Sequence, residues 1–278
     1  MATFFGEVLT FSSRAVDDDD DDDEDQSQPW IPSPELEWSE GINEEINKSP
    51  NKLLKCSNLI VTVGAAAAGF VEAYILQNEA AKIGDITAGK IDSEGSTARH
   101  QAHSNRESAL FRLRTHPGVI VCQCKQEILA EQVFQWTEKI FSQLDTTSIE
   151  VLVLDSCPVQ SYKAAVSISE IQTPFLRCLR SSPAHSQSQP SRVPFLESPN
   201  TVKGLSAAVL THCQVSNLPA SLYVAFLESM FIDLDSFKVF TPLLQSTVLS
   251  NITKANKTAD NILKKILDER TLKDSLYI

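Results

Sequence analysis

No stretch of this 278-residue chain is rich in lysine and arginine, and none interleaves basic with aromatic residues. It therefore lacks the electrostatic footprint of a nucleic-acid binder. No apolar run approaches the ~18 residues that suggest a membrane span, and no secretory hydrophobic region follows Met1. Internal repeats are absent as well. Cysteine is present but follows no disulfide or metal framework. Cys56, Cys122, Cys124, Cys157, Cys178 and Cys213 fall mostly in apolar stretches, where a free thiol acts as a small hydrophobe. Disulfides are not expected, and the expected location is the reducing cytosol, with the nucleus as a second compartment. The sequons at Asn251 and Asn256 then stay bare.

What is present is a large apolar inventory, 42% of residues, behind a strongly acidic start. The net charge of −12 comes mostly from one block, Asp17 to Asp25, so the rest of the chain is close to balanced. Residues 1–51 read as a mostly disordered acidic arm, self-repelling and broken by Pro29, Pro32, Pro34 and Pro50. Phe4, Phe5 and Val8 are too apolar for a solvated end and form a candidate docking segment. The acid block lacks the glycine and spaced oxygen ligands of a calcium loop.

From residue 52 the pattern becomes regular. Strands are predicted at 58–63, 119–122, 149–154 and 220–227. Helices are predicted at 65–77, 127–144, 205–215, 233–245 and 256–269. Two polar stretches, 84–106 and 181–199, read as mobile loops. Short apolar strands alternating with helices predict one α/β domain over residues 52–270. Its core is an open, mostly parallel sheet with helices on both faces, and 271–278 forms a C-terminal tail.

Three motifs invite a catalytic or metal reading, and each fails on chemistry. Gly64-Ala65-Ala66-Ala67-Ala68-Gly69 follows a strand and opens a helix, but Phe70-Val71 stands where a phosphate loop needs lysine and a hydroxyl. Ala66 also replaces the glycine that lets backbone approach a pyrophosphate. Small residues for tight packing explain the run. Cys122 and Cys124 point to one side of a strand, yet two thiols with a distant His116 do not make a four-ligand metal site. Asp155, Cys157 and His212 are the types of a nucleophilic triad, with no spacing that brings them together. No cofactor, metal or catalytic residue is therefore assigned. The rival reading is a nucleosidase- or phosphorylase-like enzyme with a pocket at the strand ends. Those ends supply only Gly64-Ala65, Gln123-Cys124, Asp155-Ser156 and Leu227-Glu228, a thin polar set for sugar, phosphate and base.

The last three residues offer a different chemistry. Leu276, Tyr277 and the carboxylate of Ile278 combine an aliphatic group, a ring and a negative charge, the elements of C-terminal peptide capture. A series of segments then resembles the proteasome assembly chaperones. They are Ala2 to Val8, Pro117 to Cys124, Gln135 to Lys139, Pro174 to Arg177, Ala207 to Leu210, Cys213 to Val215 and Leu218 to Ala220. Their order and number carry the likeness, since none is a catalytic motif.

The resemblance implies a nucleoside-phosphorylase-like topology without its catalytic site, and no enzymatic activity. It implies a heterodimer with proteasome assembly chaperone 2 that scaffolds the α ring of the 20S proteasome and prevents off-pathway α-ring dimers. It also implies that Leu276, Tyr277 and Ile278, a hydrophobic-tyrosine-any-residue tail, enter a pocket between α subunits, where a lysine meets the carboxylate.

Overall fold

The computed structural model describes residues 33–77, 79–87, 107–125, 128–164, 167, 170–187, 193–229, 231–245, 247–250, 252 and 258–275. The chain divides between Trp30 and Ile31, and the account below concerns the second unit, 31–278. Phe4, Phe5, Val8, Leu276, Tyr277 and Ile278 lie outside the described residues.

The first elements are strand β1 (Glu35–Trp38), helix α1 (Glu40–Lys48), β2 (Leu54–Lys55), β3 (Asn58–Val63) and α2 (Gly64–Val71). Next come β4 (Ala80–Thr87), β5 (Glu107–Leu113), β6 (Val119–Cys124), α3 (Val133–Phe141), β7 (Leu144–Asp145) and β8 (Glu150–Pro158). They are followed by β9 (Phe175–Arg180), α4 (Ser182–Gln187), α5 (Gly204–Val215), β10 (Ala220–Leu227), α6 (Leu234–Lys238), α7 (Thr247–Ser250) and α8 (Ala259–Ser275).

Eight strands form one open sheet in the order β1-β4-β5-β6-β3-β8-β10-β9, and β2 and β7 pair separately. The central four, β6-β3-β8-β10, are parallel to one another. β4 points the same way, while β1, β5 and β9 run against it. The sheet is thus mixed, with most strands in one direction and antiparallel flanks.

The central strands are continuous apolar runs because both of their faces are covered. Alternation by two along each strand feeds two cores. Leu59, Val61, Ile120, Cys122, Val153 and Leu222 face α1, α3 and α5. Ile60, Val121, Leu152, Leu154, Tyr223 and Ala225 face α2, Phe240, Leu243 and Leu249. On the first face Trp136, Ile140 and Phe141 of α3 meet the sheet beside Val209 and Cys213 of α5.

Several boundaries differ from the sequence expectation. Residues 33–50 belong to the body, not to the acidic arm. β1 adds to β4, and α1 buries Ile42 and Ile46. Arg112 on β5 fixes α1 with a bidentate pair to Glu45 at 2.6 and 2.8 Å. Gly84–Thr87, expected to open a loop, instead complete β4, and the rest of that stretch to residue 106 lies outside the described residues.

The stretch 181–199, expected to be mobile, contains α4, and its described far end is bonded to β9. Cys178 N–H donates to the Pro194 carbonyl at 2.9 Å, and Leu196 N–H donates to the Cys178 carbonyl at 2.9 Å. The helix expected at 127–144 is formed as α3 only over Val133–Phe141. The one at 233–245 breaks after α6 into a 3-10 turn, Thr241–Gln245, which holds Pro242. Residues 271–275, expected in the tail, continue α8 to Ser275.

The Gly64–Gly69 run has a structural explanation. Gly64 takes φ +81° at the turn from β3 into α2, a conformation that a side chain disfavours. Gly69 lies under Phe237 of α6, and a Cβ there would overlap the ring. After Val71 the helix widens into a π turn, Glu72–Leu76. The buried Gln123 of β6 donates to the Ala68 carbonyl at 3.1 Å just before that change. Gly69→Ala should overpack this contact and lower unfolding free energy by about 1–3 kcal/mol in urea titration. Gly41→Ala, with open space around the new methyl, should leave it unchanged or slightly higher. Equal stability of the two variants would contradict the packing assigned to Gly69.

Candidate functional site

In an open α/β sheet the ligand position lies at the carboxyl ends of the strands, where the order reverses. Here that point is between β3, whose next neighbour on one side is β6, and β8 on the other side. The groups found there are Gly64, Asp155, Ser156 and Cys157. Asp155 accepts a hydrogen bond from Ser206 Oγ of α5 and another from the Ser156 N–H at 2.7 Å. Burial pushes its carboxyl up to about 6 despite both bonds. Burial also pushes the Cys157 thiol up to about 11, with Asp155 adding to the shift. A nucleophilic cysteine needs the opposite shift.

His212 is not part of this group. Its ring lies 4.4 Å from that of Phe141, at the α3–α5 contact, and burial lowers its pKa. Asp155, Cys157 and His212 make no hydrogen bond to one another, so no triad is assembled. Cys122 and Cys124 do point to one side of β6, with sulfurs 4.0 Å apart in the core. Burial holds the Cys122 thiol well above its ordinary value. Among the described residues no group of three metal-ligating side chains is present. His116, at the far end of β6, is bonded to Thr115 Oγ1 at 3.0 Å.

The mounting of the chain's end is the second feature. Ala259 and Leu263 of α8 are buried with Phe237 of α6 and Ala73 of the π turn. Ile262, Ile266 and Leu267 pack at the margin of the same cluster. The helix thus docks through one face, as its spacing predicts. α6 is held in turn by a capping box, in which Asp233 Oδ1 accepts from the Ser236 N–H at 2.8 Å. Lys238 and Asp260 pair across the two helices at 3.1 Å, an exposed contact of small energetic weight.

One cluster was not visible in the sequence. Tyr162 donates through its hydroxyl to Glu197 at 2.8 Å, and Arg177 Nε donates to the same carboxylate at 3.2 Å. The Arg177 guanidinium also lies over the Phe175 and Tyr162 rings, 4.7 and 5.5 Å from their centroids. Asn200 adds two bonds to the Lys163 backbone, at 2.7 and 3.0 Å. Together they clasp Glu197 and Asn200 to the segment just after β8 and to β9. These groups satisfy one another.

The buried carboxyl of Asp155 has a testable consequence. The folded chain binds that proton more tightly than the unfolded chain. Its contribution is complete below about pH 4 and is lost as pH rises through about 6. Asp155→Asn should therefore gain stability relative to the parent between about pH 4 and pH 7, by up to about 3 kcal/mol. Urea midpoints at several pH values measure this, and a difference independent of pH would contradict it.

A family model described as Proteasome assembly chaperone 4 matches residues 1–278. Curated relatives named Proteasome assembly chaperone 1 are 38% identical in Xenopus laevis, covering 100% of both chains, and 34% identical in Danio rerio, covering 94% of this chain and 99% of that one. The Homo sapiens relative of that name is 27% identical, with 99% of each chain covered. Among solved structures, Pyrococcus furiosus PbaB, an archaeal proteasome activator, aligns with a TM-score of 0.56 at 10% identity, over 88% of this chain and 99% of that one. Pyrococcus furiosus PbaA, an archaeal homolog of proteasome-assembly chaperone, aligns with a TM-score of 0.56 at 11% identity, over 85% and 94%. The fold is shared with these archaeal proteins, and by its sequence the chain belongs to the proteasome assembly chaperone 1 family.

Proposed function

We propose that this protein is a dedicated, non-enzymatic chaperone of 20S proteasome assembly that works as a heterodimer with proteasome assembly chaperone 2. In this reading the pair scaffolds the α ring in the cytosol or nucleus and keeps α rings from dimerising prematurely. The observation that carries the reading is the likeness to named assembly chaperones along the whole chain. The strand ends support it from the chemical side, because Asp155 is engaged by Ser206 and the Cys157 thiol is pushed up to about 11.

The tail Leu276-Tyr277-Ile278 is the proposed contact with an α-subunit pocket. A charge-assisted hydrogen bond to its carboxylate contributes about 1.5–3 kcal/mol. Burying Leu276 contributes roughly another 1.5–3 kcal/mol. Ordering free residues costs ~1–2 kcal/mol each, so the plug alone binds near ~1 mM. The body must supply the rest, with the tail held at high effective concentration. The tail selects position. Phe4, Phe5 and Val8 form a second proposed contact, an apolar segment beyond an acidic tether.

Deleting Tyr277-Ile278, or adding one residue after Ile278, should weaken capture of purified α subunits at least about tenfold and leave capture of the partner chaperone intact. Unchanged α-subunit capture would remove the tail from the account. Deleting residues 1–28 should weaken one of the two captures, and no change in either would remove the N-terminal contact.

A further inference from the structure

β9 is the last strand of the sheet and has β10 on one side only. Its register sets Cys178 opposite Tyr223, yet both backbone groups of Cys178 are bonded on the other side. Its N–H donates to the Pro194 carbonyl and its carbonyl accepts from the Leu196 N–H, each at 2.9 Å. In an antiparallel pair, residues that bond across alternate with residues that face away. Phe175, Arg177 and Leu179 therefore bond to β10, while Leu176, Cys178 and Arg180 turn their backbone groups outward. The Ser181 N–H, next in the alternation, returns to the Ala220 carbonyl at 2.9 Å.

An edge of this kind is a template for another strand. The chain covers it at the centre. Residues 193–196 lie beside Cys178 and pair with it in parallel through a single bridge at Phe195. Arg177 Nη1 caps the outward Leu176 carbonyl at 3.0 Å. The covering segment is fastened just beyond this bridge. Glu197 accepts from Tyr162 at 2.8 Å and from Arg177 Nε at 3.2 Å, and Asn200 exchanges two bonds with the Lys163 backbone. A charge-assisted bond is stronger than a neutral backbone bond, so Glu197 is the main fastening of the segment to β9.

We infer that residues 193–200 guard a strand-pairing edge, that Glu197 is the latch of this guard, and that the partner the edge fits is β9 of a second copy of the chain. The sequence of β9, Phe175-Leu-Arg-Cys-Leu-Arg180, suits pairing with itself. Centred on Cys178, an antiparallel pair sets Leu176 opposite Arg180, Arg177 opposite Leu179 and Cys178 opposite its own copy. Every outward residue then falls in a bonded pair, which gives roughly six backbone hydrogen bonds. The guard makes two with the same strand. No arginine opposes an arginine, so the register carries no like-charge penalty. Such a contact is two-fold and closes on itself.

Amide hydrogen exchange on the full chain, read residue by residue by NMR, tests the latch. Glu197→Ala removes the carboxylate and leaves the backbone pairing of β9 with β10 in place. Asn200→Ala loosens the same segment from the Lys163 side and touches neither strand. Each should speed exchange of the Leu196 amide at least about tenfold, because local opening is governed by local contacts. The Arg177 and Leu179 amides, bonded to β10, should be unchanged. A Leu196 amide that exchanges equally in parent and variants would overturn the latch.

Sedimentation equilibrium of the purified full chain tests the partner, with a readout that a merely structural role of Glu197 would not move. Glu197→Ala and Asn200→Ala should show a reversible doubling of mass at concentrations where the parent shows none. Adding Arg180→Pro to either should abolish the doubling. Proline at 180 removes an outward N–H and no bond to β10, and the Arg180 Nε has no hydrogen-bond partner among the described residues. Equal mass of parent and variants would overturn pairing with a second copy. Growth beyond twice the chain mass, or a doubling that Arg180→Pro leaves in place, would overturn it as well.

Discussion

The ring of Phe237 rests on the bare backbone of Gly69, and this contact seats α6 against α2. α2 is fixed to the sheet by its own small residues and by Gln123, which reaches the Ala68 carbonyl at 3.1 Å. α6 can approach α2 only where no Cβ intervenes. Once Phe237 is seated, it shares a fully buried cluster with Ala73, Ala259 and Leu263. That cluster is where α8 attaches. A constraint of one missing methyl group is thus passed from a glycine early in the chain to its last helix.

The same constraint explains why a motif resembling a phosphate loop is not one. Gly64 serves the turn, the alanines serve packing, and Gly69 serves Phe237. Polar groups that remain at the strand ends are turned toward one another. Asp155 takes Ser206, and Glu197 takes Tyr162 and Arg177. A nucleoside-binding pocket would need such groups to converge on an open space. Here they hold loops and helices against the sheet.

Much of the central architecture was legible in the sequence because parallel strands buried on both faces leave an unbroken apolar record. β3 and β10 fall where the apolar runs at 58–63 and 220–227 placed them. The flanking antiparallel strands left a weaker record. β4 mixes Lys82, Gly84 and Asp85 with its apolar residues, and β5 holds Glu107 and Arg112. Each covers part of the sheet with alternate side chains, which a search for continuous runs passes over. β1 and α1 read as part of the acidic arm because Pro34 and Pro50 flank them, although Ile42 and Ile46 carry helical spacing.

The Tyr162–Arg177–Glu197 clasp draws on three separated segments, and no spacing could reveal it. For α8, the helix that precedes the proposed tail contact, the apolar face was readable. Its seat was not, because Phe237 and Gly69 lie far apart in sequence and meet only through tertiary packing.

The central claim is that this chain acts by binding a partner chaperone and α subunits, not by catalysis. The most direct measurement is affinity purification of the tagged full-length chain from cytosol, with identification of the bound polypeptides by mass spectrometry. The account predicts proteasome assembly chaperone 2 together with 20S α subunits as the principal bound chains. Recovery of the chain with neither of them would contradict it.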